Sequence, residues 1–284
     1  MGKPAAIITL AMTLLAFAAV VSQGQQPDSP AAWLERGREL AGQGDFPAAL
    51  NALDQAIARD STIAEAYALR GAIFDEIGQA GRAISDFSKA IRLNKNNPAF
   101  HNGRGLALSH IDDLERAVYD FTQAVKLKPD YVEAFINRGA VWVRLNDYDR
   151  ALKDFSKAIE LEPQAADAYN NRGFVYLSRG EIEKAEADFN RALEIEPNDL
   201  FALLNRGATR LKAGNFNNAE QDLTKALEVA PDRAEIYYLR AVARMKSGNL
   251  RGALEDAEKA ANLDPASPAY KKLAVDLRGK NQTQ

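Results

Sequence analysis

The sequence predicts an all-α fold made of tandem helical hairpins, and three observations support this prediction. An Arg-Gly pair recurs at one constant interval, starting at positions 36, 70, 104, 138, 172 and 206, and Arg240-Ala241 continues the series. Two alanine columns and one mainly aromatic column keep the same interval. Apolar residues within each interval follow a helical period. A hairpin that leaves one apolar face uncovered must stack against the next, so the repeats are expected to form one array.

Seven repeats of equal length account for residues 30–267 without an insertion or a deletion. Their bounds are 30–63, 64–97, 98–131, 132–165, 166–199, 200–233 and 234–267. The two alanine columns are Ala49, Ala83, Ala117, Ala151, Ala185, Ala219, Ala253 and Ala56, Ala90, Ala124, Ala158, Ala192, Ala226, Ala260. The column of larger residues is Leu53, Phe87, Phe121, Phe155, Phe189 and Leu223, with Ala257 last. Small residues let two helix backbones approach, and a large side chain opposite fills the remaining space.

Each repeat is predicted to contain two helices, as repeat five illustrates. Apolar residues between Tyr169 and Leu177 follow a helical period, and Gly180 interrupts it. A second helical pattern runs from Ile182 and ends before Pro197, because proline cannot continue a helix.

The N-terminal segment carries a different prediction. Residues 1–24 resemble a secretory signal, because Lys3 precedes an unbroken apolar run from Ala5 to Val21 and small residues follow. We expect cleavage before Gln25, with an uncleaved membrane anchor as the alternative. The lack of cysteine fits an exported protein of the bacterial periplasm.

Three further segments complete the predicted organisation. Residues 25–29 are expected to form a linker before the first repeat. Residues 268–278 are expected to form a helix that caps the last repeat, because stacked repeats need a cover at their ends. Residues 279–284 are expected to form a disordered tail.

The composition and the motifs of the sequence exclude several classes of function. The 284 residues include no cysteine and only two histidines, so disulfides and thiolate metal sites are excluded. A net charge of −3 provides no overall positive field for nucleic acid. The sequence contains no glycine-rich phosphate loop, paired-histidine metalloprotease motif or nucleophile elbow. We therefore expect no enzyme activity, no cofactor and no metal.

The repeat resembles the tetratricopeptide repeat, a helix-turn-helix unit of about 34 residues. Repeat five carries the pattern most fully, with Tyr169, Gly173, Tyr176, Gly180, Ala185, Phe189, Ala192 and Pro197. The resemblance implies a right-handed α-solenoid that acts as a non-catalytic protein–protein interaction scaffold. It also implies a concave groove, lined by the first helices, that binds a segment of another protein. Departures are local: His101, Arg210 and Arg244 replace aromatic residues, and this indicates looser packing there.

A column of aspartates accompanies the arginines. Each lies at the same offset after the arginine of its own repeat: Asp86, Asp120, Asp154, Asp188, Asp222 and Asp256. We interpret the column as an ion pair between the two helices of each repeat. Repeat one has Ala52 at this place, which leaves Arg36 without that partner. We expect mostly surface pairs, each worth about 0–1 kcal/mol.

A second apolar stripe on the first helices of repeats four to seven is not needed for stacking. Such a stripe usually marks an interaction site. The predicted partner-binding residues here are Asn170, Phe174, Leu177, Phe201, Leu204, Leu211 and Tyr238. Binding of a different protein is the favoured interpretation, and self-association and burial within the chain are alternatives.

Polar residues accompany the stripe. Asn137, Asn171 and Asn205 occupy the same position of successive repeats and are predicted to form a ladder that holds a peptide backbone. Hydrogen bonding between adjacent helices is the alternative. Three basic residues are expected to rim the groove and to favour an acidic segment: Arg144, Lys212 and Lys246. The expected partner is a peptide or helical segment of another protein, and a self-assembling structural module is the alternative function.

Overall fold

A computed structural model describes residues 29–281, which form helices joined by short turns. The signal predicted for residues 1–24 lies outside the described residues. The fifteen helices are α1 Pro30–Gly42, α2 Phe46–Arg59, α3 Ala64–Glu76, α4 Ala80–Leu93, α5 Pro98–His110, α6 Leu114–Leu127, α7 Val132–Arg144, α8 Tyr148–Leu161, α9 Ala166–Ser178, α10 Ile182–Ile195, α11 Leu200–Lys212, α12 Phe216–Val229, α13 Ala234–Ser247, α14 Leu250–Leu263 and α15 Pro268–Asn281. The predicted all-α class is confirmed.

Several helices begin at a polar side chain that accepts an otherwise unpaired backbone N–H. Ser29 accepts from the N–H of Ala32 at the start of α1, at 3.1 Å. Asp45 accepts from the N–H of Ala48 at the start of α2, also at 3.1 Å. Capping of this kind stabilises a helix end by about 1 kcal/mol, so the sequence itself marks where these helices start.

The turn inside each hairpin places one residue in the left-handed region of the backbone map. These residues recur at the repeat interval, with φ between 59° and 92°: Gly44, Gly78, Asp112, Asn146, Gly180, Gly214 and Gly248. Glycine adopts this conformation without a Cβ clash, and aspartate and asparagine tolerate it better than most other residues. One tight turn geometry therefore joins the two helices in all seven hairpins.

The N-terminal unit comprises residues 29–161 and contains helices α1 to α8. Its core is formed by the alanine columns and by Leu53, Phe87, Phe121 and Phe155, all of which are buried. A Cβ atom built on Gly105 would lie 2.8 Å from Cε1 of Phe121. The helices of this hairpin approach so closely that only glycine fits opposite the phenylalanine ring.

The C-terminal unit comprises residues 162–281 and contains helices α9 to α15. Phe189, Leu203, Leu223 and Ile236 form its interior. The last helix, α15, covers α14 with the buried side chain of Leu277.

The predicted tail begins too early in the sequence. Helix α15 continues to Asn281, three residues beyond the predicted end at 278. Arg278 bonds Glu258 of α14 and ties the last turns to the preceding hairpin. Residues 282–284 lie outside the described range.

Among the helices of residues 29–281, none combines the length and the apolar character needed to cross a membrane.

Candidate functional site

The predicted ion pairs form in all six repeats that carry the aspartate. The Nε and Nη2 groups of each arginine donate to the two carboxylate oxygens of the aspartate, at 2.6–3.0 Å. The pairs are Arg70–Asp86, Arg104–Asp120, Arg138–Asp154, Arg172–Asp188, Arg206–Asp222 and Arg240–Asp256. The expectation of surface pairs is wrong, because the aspartates are only 1–7% exposed. The close packing of the two helices covers them.

The same arginines also reach the preceding repeat, which sequence reasoning missed. The Nη1 group of Arg104 donates to Oγ of Ser88 at 3.0 Å, and that of Arg138 donates to Oγ1 of Thr122 at 3.1 Å. The corresponding acceptors elsewhere are Asp54 for Arg70, Asn190 for Arg206 and Thr224 for Arg240. These polar acceptors also recur at the repeat interval, so a signal was present in the sequence.

Charge and burial compete at the Arg104–Asp120 pair, and the hydrogen bonds prevail. The bond to Asp120 raises the pKa of Arg104 above its ordinary value, although burial acts in the opposite direction. Burial opposes ionisation of Asp120, but the hydrogen bonds from Arg104 and His101 outweigh it and lower the pKa of Asp120. This pair is therefore ionised at neutral pH and serves to hold the hairpin together.

The predicted apolar stripe is open in part. Phe174 on α9 is 36% exposed, which makes it one of the more exposed large apolar side chains. Leu177, Phe201 and Leu211 are half-buried. Tyr238 is half-buried as well, and its ring centroid lies 4.9 Å from that of Tyr270.

Leu204 does not belong to an open stripe. It is only 8% exposed and lies in the core cluster of the C-terminal unit with Leu203 and Ile236. The same cluster contains Leu193 of α10, Leu223 of α12 and Ile236 of α13. The expectation that Leu204 anchors a partner is therefore wrong.

The asparagines pair with one another rather than forming the predicted ladder. Nδ2 of Asn205 donates to Oδ1 of Asn170 at 2.9 Å, and Asn170 is buried. This bond joins adjacent first helices, which was the alternative interpretation. Asn171 is half-buried and forms no side-chain hydrogen bond with another described residue.

Asn137 and Arg144 lie in the N-terminal unit, where both are bonded within the chain. Nδ2 of Asn137 donates to Oδ1 of Asn102 at 3.1 Å. Arg144 donates to the carbonyl oxygen of Ser109 and to Oδ1 of Asp112, both at 2.7 Å. Arg144 therefore holds two first helices together, and its charge is partly neutralised by Asp112.

Lys212 and Lys246 are the other two residues predicted to form a basic rim. Both side chains are exposed and belong to the C-terminal unit. Neither forms an ion pair with a residue in the described part of the chain. They leave positive charge at the ends of α11 and α13.

Tandem two-helix hairpins of constant length, each closed by the same turn, define a helical-repeat protein of the α-solenoid class. Models of the tetratricopeptide repeat match residues 34–98, 74–132, 166–199 and 210–277, and a model described as a TPR repeat matches 141–178. The chain belongs to the tetratricopeptide repeat family. Repeats of this family are scaffolds for protein–protein interaction and are typically non-enzymatic.

Solved structures show the same fold. A tetratricopeptide repeat protein from Parabacteroides merdae is 22% identical, with a TM-score of 0.65, and the match covers 89% of this chain and 100% of that chain. PilW, a type IV pilus biogenesis factor, is 21% identical with a TM-score of 0.68, over 74% of this chain and 98% of that one. YrrB, described as a TPR protein with an unusual peptide-binding site, is 26% identical with a TM-score of 0.55. The match covers 68% of this chain and 97% of that chain. No curated protein gives a significant match.

Proposed function

We propose that this protein is a non-catalytic adaptor that binds a segment of another protein on the first-helix face of its C-terminal unit. The observation that carries the proposal is the combination of Phe174 and Asn171 on one helix. Residues three apart on a helix are neighbours, so an exposed ring lies beside an amide that has no partner among the described residues. An apolar anchor next to a backbone-binding amide is an arrangement suited to a peptide.

The neighbouring residues support this arrangement. Phe201, Leu211 and Tyr238 add half-buried apolar surface on the first helices α11 and α13. Lys212 and Lys246 add positive charge, which favours a segment containing acidic residues. The structural relative YrrB is described as having a peptide-binding site. Leu204, Asn170 and the Asn205–Asn170 bond belong to the scaffold that supports the surface.

The test replaces the two central residues and compares partner profiles. A Phe174→Glu/Asn171→Ala variant is expected to lose partners that the wild type retains, at an unchanged melting temperature, because neither side chain belongs to the buried core. Val275→Glu is the matched control, since Val275 is an apolar residue of the same unit with 64% exposure. The readout is photocrosslinking from position 177 in cells, followed by mass spectrometry. Identical profiles for all three proteins would exclude the surface.

Self-association through the same surface is the alternative use. Light scattering over a range of concentrations distinguishes the two functions. An adaptor is expected to have the mass of a monomer at every concentration, whereas the mass of a self-assembling module rises with concentration. A concentration-dependent mass that Phe174→Glu abolishes and Val275→Glu preserves would favour the self-assembling module.

We also propose that the chain is exported, most simply to a bacterial periplasm. The support is the unbroken apolar run from Ala5 to Val21 after Lys3, together with the lack of cysteine. Retention of this run as a membrane anchor is the alternative.

A further inference from the structure

The N-terminal unit contains a crevice that the proposed adaptor surface does not use. It is lined by helices α7 and α8 of the fourth hairpin, is open to one side and has a volume of about 560 Å³. Phe135 and Trp142 of α7 form its aromatic wall, and Arg150, Lys153 and Lys157 of α8 supply positive charge along the other wall. This combination of aromatic and cationic side chains points to a ligand with matching chemistry.

The two aromatic side chains are accessible in repeat four, whereas their counterparts in repeat two are buried. Phe135 and Trp142 are half-buried. Their counterparts two repeats earlier, Tyr67 and Phe74, are only 9% and 4% exposed. The same two positions of the repeat are therefore buried in the core in repeat two, whereas in repeat four they line an open crevice.

The positive charge of the crevice is only partly neutralised. Nζ of Lys157 lies 2.7 Å from Oε1 of Glu160. The guanidinium of Arg150 lies 4.6 Å from the ring centroid of Trp142, and its Nε is 3.3 Å from Asp147. Lys153 is exposed and forms no ion pair or hydrogen bond with any residue of the described range. A cation without a counter-charge thus lies beside a stacked arginine and an open aromatic surface.

The repeat pattern does not require these residue types. The counterparts of Phe135, Trp142 and Lys153 in repeat three are His101, Leu108 and Tyr119. Arg116 is the counterpart of Arg150 and has the same side-chain exposure of 63%, with the corresponding aspartate three residues before it. Repeat three therefore has the arginine without the aromatic wall or the free lysine.

We propose that this crevice binds a linear acidic segment that carries an aromatic side chain. The ring of the segment packs against Phe135 and Trp142 in an offset or edge-to-face arrangement. Its carboxylates accept hydrogen bonds from Arg150 and Lys153, and charge-assisted bonds of this kind are stronger than neutral ones. A peptide fits better than a nucleic acid, because the net charge is −3 and the crevice also contains Asp154 and Glu160.

The experiment uses Trp142 as its own reporter. The chain has two tryptophans, so Trp33→Phe leaves Trp142 as the only indole. The probe is the acetylated and amidated peptide Asp-Glu-Phe-Glu-Asp, and its counterpart carries lysine at the four acidic places. The acidic peptide is expected to change the Trp142 fluorescence in a saturable manner that weakens with added salt, and the basic peptide is expected to give no change.

Charge-reversal variants locate the site. The Arg150→Glu/Lys153→Glu variant is expected to bind the acidic peptide with at least about tenfold lower affinity, because two charge-assisted hydrogen bonds are replaced by charge repulsion. Arg116→Glu is expected to leave the affinity unchanged. If Trp33→Phe lowers the melting temperature, fluorine NMR of the fluorotryptophan-labelled wild type reports the same contact through the Trp142 resonance.

Three results would overturn the proposal. The first is no saturable change at peptide concentrations up to about 1 mM, the weak end of the affinity range. The second is equal loss of affinity in the Arg116→Glu control. The third is binding of a ten-nucleotide oligothymidylate in preference to the acidic peptide, which would indicate a single-stranded nucleic acid site.

Discussion

At the scale of single residues, the repeated arginine is the link between one hairpin and the one before it. In repeat three, Arg104 binds Asp120 of its own repeat and Ser88 of the preceding repeat. A planar guanidinium with five N–H donors can satisfy both partners at once, which a lysine could not do with the same geometry. Arg36 lacks the aspartate and instead pairs with Glu39 on the surface of its own helix.

This difference leads to a paired prediction. Arg172→Ala is expected to lower the free energy of unfolding by about 3 kcal/mol, because it leaves the buried Asp188 carboxylate without its bidentate partner. Arg36→Ala, at the same position of repeat one, is expected to cost less than about 1 kcal/mol. Urea unfolding of both variants measures the two values. Equal losses would show that burial of the aspartate does not determine the strength of the pair.

The Asp75–His110 pair predicts a dependence of stability on pH. Nδ1 of His110 lies 2.9 Å from Oδ1 of Asp75, whose carboxylate is buried. The bond to Asp75 raises the pKa of His110 above its ordinary value of 6.5, against the effects of burial and of Arg144. Because the folded state holds the proton more tightly, the pair contributes fully below pH 6.5 and its contribution is lost as the pH rises through the folded pKa.

The test measures the unfolding free energy of the wild type and of His110→Gln from about pH 5 to 9. The advantage of the wild type is expected to shrink as the pH rises. An advantage that stays constant or grows across this range would contradict the assignment.

At the scale of elements, each hairpin depends on a close approach between its two helices. The glycine after the repeated arginine faces the ring of the aromatic column, as Gly105 faces Phe121. In repeat seven the sequence has Ala241 and Ala257 at the same two places. A larger residue on the first helix is thus accompanied by a smaller one on the second, which keeps the packed volume of the hairpin similar.

Substitution of two helical glycines distinguishes the effect of close helix packing on stability from the effect of helix propensity. Gly105→Ala is expected to destabilise the protein by about 1–3 kcal/mol, because the new methyl group would overlap Phe121. Gly81→Ala in α4 is expected to stabilise it by up to about 1 kcal/mol, since apart from the adjacent residues and the local helix backbone no atom lies within 4 Å of the added Cβ. Thermal unfolding measures both changes. A loss of stability in both variants would point to a general intolerance of substitution instead.

In the last two repeats, charged residues replace aromatic ones. Looser packing was expected there, but the charged residues form ion pairs between helices instead. Arg210 donates to Glu186 of the preceding repeat and to Asp222 of its own repeat, at 2.7 and 2.8 Å. Arg244 bonds Glu220 and Asp256 in the same way. A contact between apolar surfaces is here replaced by ion pairs that join the same helices.

At the scale of the whole molecule, the described residues form two units, each built from the same hairpin. The N-terminal unit carries the crevice at Trp142, and the C-terminal unit carries the surface at Phe174. Each of these features depends on residues that vary between repeats, while the residues that vary least form the cores. A repeated scaffold with variable surface positions can present different binding chemistry in each unit.

The proposed export, with cleavage of the N-terminal segment, predicts the N-terminal residue and therefore the mass of the mature protein. If the segment before the repeats is removed as proposed, the N-terminal residue of the purified protein is Gln25. Intact-mass and N-terminal peptide mass spectrometry of protein from the native compartment measure this directly. A protein that begins at Met1 and sediments with membranes would contradict cleavage and favour the anchor.

The sequence by itself determined the hairpin architecture and the ion pairs, since both recur at the repeat interval and depend on local helical spacing. The Arg-Gly pair, the alanine columns and the aspartate column predict the helices and their register. The availability of a side chain to a partner was decided only by the tertiary structure. Leu204 and Phe174 carry the same apolar signal in the sequence, yet one lies in the core and the other is exposed.

The physical reason is that a helical period identifies the faces of one helix but not the helices that cover them. Asn171 and Asn205 occupy the same position in successive repeats, and only the neighbouring Asn170 decides that Asn205 is bonded within the chain. The crevice at Trp142 likewise combines aromatic side chains of α7 with charged side chains of α8. Periodicity along the chain therefore determined the scaffold, and contacts between distant residues determined which surfaces it leaves open.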